Sequence, residues 1–77
     1  MAMSASEQIG PWAVHVDWQD AHIEDTRNGE VFTAAVTRFP VGFKVSPIWT
    51  NGITDCTDSI PEHVKAKARA LAGKLSD

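Results

Sequence analysis

The sequence contains no tyrosine and a single cysteine, Cys56, among 77 residues. One thiol excludes an internal disulfide, so the chain must hold itself together by packing, and it points to a cytoplasmic setting. Asp55, Thr57 and Asp58 surround that thiol with acid and hydroxyl groups, a context that does not favour a reactive thiolate. No run approaches the ~18 consecutive apolar residues of a membrane-spanning helix. The opening MAMSASEQIG has neither a basic nor an apolar stretch of the kind a secretion signal carries. The length excludes doubly wound nucleotide folds and two-lobed enzymes. Basic residues are also scarce, with seven Lys and Arg against ten Asp and Glu, for a net charge of −3. Yet 43% of the residues are hydrophobic and nine are Gly or Pro, a composition that reads as one folded domain.

Patterned residues begin at Trp12. Residues 1–10 are small or polar and read as a flexible tail, leaving 11–77 as the domain. Trp12, Val14, Val16 and Trp18 alternate with polar or small residues, the period of a half-buried strand. The phase then shifts to Ala21 and Ile23, which requires a bulge or tight turn near Gln19-Asp20. Asn28-Gly29 suits a two-residue type I′ hairpin turn. It would join a strand ending near Thr26 to one running over 31–39, with Phe32, Ala34 and Val36 facing the core. After Pro40 and Gly42, Phe43-Lys44-Val45 resumes the alternation. A second Asn-Gly, Asn51-Gly52, predicts another turn with Ile53-Thr54 as a short return strand.

The end of the chain reads as a helix. Ser59-Ile60-Pro61-Glu62 fits a capping box with Ser59 at the N-cap. Ile60, Val64, Ala68, Leu71 and Leu75 form one apolar stripe, with Lys65, Lys67, Arg69 and Lys74 off it. Gly73 suits the residue just past the helix, with Leu75 folding back. A helix this short is not stable alone and must lie on the sheet. The expected architecture is α+β: an antiparallel sheet of three to five strands packed by one C-terminal amphipathic helix.

Charge divides along the chain. Residues 1–58 hold eight acids and three bases, a sum of −5, whereas residues 59–77 hold four bases and two acids, a sum of +2. Asp17, Asp20, Glu24, Asp25 and Glu30 lie within fourteen positions of one another. Two readings are open for them. They are a solvated guard on an edge hairpin, or an acidic surface that steers a basic partner and repels nucleic acid. Trp12 and Trp18 fit the core. Trp49, beside a turn, is either core or an exposed anchor for a partner.

Catalytic and metal chemistry find little footing. His15, Asp17, Asp20, His22 and Glu24 suggest a metal, with His15 and Asp17 on one strand face and His22 and Glu24 on another. Two histidines seven residues apart across a bulge do not assemble a converging ligand set, so no metal or cofactor is expected. Glu24 and Asp25 are adjacent, and on a strand they face opposite sides. No serine has a nucleophile-elbow context, and Gly73-Lys74 lacks the spacing of a phosphate-binding loop. The expectation is a non-enzymatic binding protein.

Small size, net negative charge, a short sheet with one helix and no catalytic set together resemble the small phage-encoded inhibitors of the anti-CRISPR kind. The resemblance is one of overall character across most of the chain. It implies docking on a basic, nucleic-acid-binding surface of a CRISPR effector and blocking of target DNA. In that case Asp17, Asp20, Glu24, Asp25 and Glu30 make the contacts, with Trp49 as an anchor. Two alternatives stand beside it. The segment 31–40 resembles part of small antitoxins that neutralise a toxin nuclease, and the basic C-terminal helix offers a nucleic-acid-binding module.

Overall fold

The alternation seen in the sequence becomes a continuous antiparallel meander in a computed structural model that describes residues 3–76. Its strands are β1 (Ser4–Ile9), β2 (Trp12–Asp17), β3 (Asp20–Asp25), β4 (Glu30–Phe39) and β5 (Gly42–Val45), in the spatial order β1-β2-β3-β4-β5. A 3₁₀ turn at Thr57–Ser59 leads into the helix α1 (Glu62–Ala72). This is the α+β arrangement expected, with the helix packed on one sheet face.

Inward positions alternate strictly. Trp12, Val14 and Val16 of β2, Ala21 and Ile23 of β3, and Phe32, Ala34 and Val36 of β4 are all buried. The helix answers with Val64, Ala68, Leu71 and Ala72, flanked by Ile60 and Leu75. The sheet curls around it, because α1 contacts β1 and β5, the two opposite edges, as well as β2. The curl also stacks Trp18, just past β2, on Phe43 of β5, with ring centroids 6.1 Å apart and planes 8° apart. Trp18 is therefore half-buried in an aromatic pair, with its indole nitrogen enclosed and without a hydrogen-bond partner among the described residues.

Four local expectations need correction. Residues 4–9, read as a tail, form β1, paired with β2 from Ser4↔Asp17 to Ile9↔Trp12. Strand pairing is a backbone interaction and does not need an apolar pattern. Here the two-residue Gly10-Pro11 turn enforces it, with Gly10 at φ 55, and Glu7 is tied to Lys67 of α1 at 3.1 Å. Left-handed backbone strains any other residue, so Gly10→Ala is expected to cost about 1–2 kcal/mol. Chemical denaturation would read that loss as a lower midpoint with an unchanged slope.

The hairpin at Asn28-Gly29 is a four-residue loop, not a type I′ turn, and Asn28 keeps negative φ. Asp25 sets this geometry. Its carbonyl accepts the amides of Asn28 and Gly29, and its carboxylate accepts that of Arg27. Gly29 alone takes positive φ, at 76°. Ile53-Thr54 is not a strand either. Asn51 Oδ1 accepts the amides of Ile53 and Thr54, closing a tight loop whose only ladder contacts are single bridges from Thr50 to Thr33 and Asp55.

The helix begins later than the capping box predicts, with Pro61 at its N-cap and no side-chain cap. A residue before proline is steered out of helical conformation. Ile60 obeys, at φ −109 and ψ 129, and so separates Ser59 from the helix. Glu62 serves the first turn differently, meeting Arg69 at 2.6 Å and Lys65 at 3.6 Å. Gly73 closes the helix in right-handed conformation, and Leu75 still folds back into the core.

Candidate functional site

α1 covers the inner face, and the outer face of β1–β3 carries most of the candidate residues. Register lays its residues out in rows across the strands. One row runs Ser6, His15, His22, Thr33, and the next runs Gln8, Ala13, Glu24, Val31. The two histidines are thus direct cross-strand neighbours, which the sequence reading, placing them on separate faces, did not foresee. A two-residue turn at Trp18-Gln19 provides this register. Asp17 Oδ1 holds it by accepting the amides of Gln19 and Asp20 at 2.8 and 2.9 Å. Each imidazole is anchored through Nδ1, His15 by the Ser6 hydroxyl at 2.6 Å and His22 by the Thr33 hydroxyl at 3.3 Å.

Ala13 is the small side chain in its row. Around it opens a shallow hollow of about 490 Å³, lined by Ser6, Gln8, His15, His22, Glu24 and Val31. Among the described residues no group of three or more His, Cys, Asp or Glu side chains is placed to hold a metal ion.

The six residues singled out from the sequence separate into three kinds. Trp49 is 1% exposed; its amide donates to Thr57 Oγ1, and its carbonyl accepts the amide of Cys56. It belongs to the core and is not an exposed anchor for a partner. Asp17 and Asp25 serve turns. Asp17's carboxyl is held below its ordinary range chiefly by the Asp20 and Gln19 amides. Asp25 points inward, 7% exposed, and grips Arg27 with both carboxylate oxygens at 2.9 Å. The guanidinium in turn lies 5.5 Å above the Trp12 ring. The Arg27 side chain is the main reason that Asp25's carboxyl sits below its usual range. Asp20, Glu24 and Glu30 remain. None of these three carboxylates has a hydrogen-bond or ion-pair partner among the described residues, and Asp20 and Glu24 lie on the outer face.

Cations keep away from this face. β1, β2 and β3 contain no Lys or Arg. Three of the four cations of the C-terminal segment are committed internally, Lys65 and Arg69 to Glu62 and Lys67 to Glu7.

The turn carboxylates make acid stability predictable. Asp17, Asp25, Asp55 and Glu62 all titrate below their ordinary values in the folded chain. A depressed folded pKa contributes stability above the unfolded value, and that stability is lost as pH falls through the folded one. Thermal midpoints are therefore expected to hold steady down to about pH 5 and to fall steeply below about pH 4. Asp25→Asn should lower the midpoint at neutral pH and flatten that acid limb. A variant with the wild-type acid limb would show that the Arg27 pair contributes nothing.

Comparison with known proteins finds no matching family model, curated protein or solved structure.

Proposed function

We propose that this protein is a small non-enzymatic inhibitor that docks its outer β1–β3 face on a basic, nucleic-acid-binding surface of a protein partner. In the form closest to its overall character, it acts as anti-CRISPR proteins do, occupying the DNA-binding surface of a CRISPR effector and blocking target DNA. One observation carries the reading: Asp20 and Glu24 have no partner among the described residues, on a face whose three strands hold no Lys or Arg. Such a field accelerates encounter with a basic groove and opposes direct contact with phosphate. The pairing of Lys65, Lys67 and Arg69 with Glu62 and Glu7 works against the helix as a nucleic-acid module.

A gel-shift competition tests this. The protein should reduce target-DNA binding by a CRISPR effector complex in proportion to its concentration, and less so as salt rises. It should pass through a DNA column without retention. Retention on that column, released by salt, would replace the proposal with the nucleic-acid reading. No effect on the effector's DNA binding would remove the CRISPR partner.

A further inference from the structure

Resting on that reading, we infer that the hollow over Ala13 is a seat for one arginine side chain of the basic partner. Its chemistry is one-sided. Glu24 contributes a half-buried carboxylate with no partner among the described residues. Gln8 donates one amide hydrogen to the carbonyl of Gly10 at 2.8 Å, which orients the side chain, and its amide oxygen is an acceptor. His15 and His22 have their Nδ1 atoms engaged by Ser6 and Thr33, so the rings are held in place along one wall. Ala13 and Val31 supply an apolar floor. No Lys or Arg lines the hollow.

A ligand for this arrangement must bring donors and positive charge, and an apolar stem to lie on the floor. Arginine does so, since its guanidinium has five N–H donors and no acceptor, matches a carboxylate with two parallel hydrogen bonds, and stacks on flat rings. A lysine ammonium meets the charge but neither the fork nor the stacking. The volume of about 490 Å³ leaves room for the side chain and several waters of ~30 Å³ each.

The test is a titration of the isotopically labelled protein with the capped tripeptide Gly-Arg-Gly, followed by amide chemical shifts. Parallel titrations use its lysine and citrulline counterparts. Saturable shifts confined to Ala13, His15, His22 and Glu24 are expected with arginine. Lysine should bind at least threefold more weakly, and the neutral citrulline should not bind. Ala13→Leu, which fills the hollow and removes no charge, and Glu24→Gln, which keeps its shape, should each weaken arginine binding at least tenfold. Equal shifts from citrulline, shifts spread over Glu62 and Asp58, or unaltered binding by Ala13→Leu would overturn the seat. The two proposals fail separately. If Asp20→Lys with Glu24→Lys abolishes effector inhibition while Ala13→Leu retains it, the face stands and the seat falls. If the arginine peptide seats as described but no effector is inhibited, the seat stands and the partner falls.

Discussion

Trp49→Ala is expected to leave the protein largely unfolded at 25 °C. The indole is the largest fully buried side chain, and it lies in a segment with no regular secondary structure of its own. That segment is fixed by the Thr57 hydroxyl, the Cys56 amide and the two backbone hydrogen bonds between Thr50 and Thr33. Truncating a buried tryptophan to alanine costs about 3–5 kcal/mol. A domain of this size rarely has more than ~3–5 kcal/mol of net stability, so the loss and the reserve are of the same order. Far-ultraviolet circular dichroism and a thermal scan would show the collapse, whereas Trp49→Phe should keep a cooperative transition at a lower midpoint. A Trp49→Ala protein with an unchanged midpoint would mean that the indole is a surface group after all.

The second large effect falls on α1. Val64 is fully buried where the helix crosses the sheet. Val64→Asp removes apolar contact and buries a carboxylate between the helix and the sheet, which costs several kcal/mol even after the group relaxes or takes up a proton. Since α1 touches both edges of the curled sheet, its loss frees β1 and β5 together. The expected result is a chain without a thermal transition and with strong binding of an apolar dye. Ala70→Gln, at an exposed position of the same helix, should leave the midpoint within about 2 °C of wild type. A cooperative transition in the Val64→Asp variant would show that the sheet stands without its helix.

Legibility in the sequence followed side-chain pattern. The core of β2, β3, β4 and α1 was readable, because apolar residues recur there with the periods of strand and helix. β1 was not, since Ser4-Ala5-Ser6-Glu7-Gln8 has no apolar alternation. The turn dipeptide Gly10-Pro11 was the available signal, and counting back from it pairs Ile9 with Trp12. Both Asn-Gly dipeptides lie in turns, but Asp25 diverts the first into a four-residue loop and Asn51 closes the second into a tight loop without a return strand. The capping box failed on one residue, Ile60, whose conformation proline dictates. The acidic cluster was visible as composition only. Which of its members are free depends on register and side-chain pairing. Asp25 and Asp17 look equal to Asp20 and Glu24 in the sequence, yet two of the four are committed to turns. The hollow over Ala13 needed the cross-strand alignment of four strands, which no single segment carries.

The central claim is that binding resides on the outer face of β1–β3 and not on the helix, and paired charge reversals test it most directly. Asp20→Lys with Glu24→Lys and, separately, Arg69→Glu with Lys74→Glu change net charge by equal amounts in opposite directions. Both pairs lie at sites that are not fully buried, so each variant is first checked for a wild-type thermal midpoint. Affinity for the effector complex is then measured by calorimetry at about 0.1 M salt, where charges within about 10 Å still act on one another. The account predicts at least a tenfold loss for the outer-face pair and less than a threefold loss for the helix pair. A larger loss from the helix pair, or wild-type affinity in the outer-face pair, would contradict it.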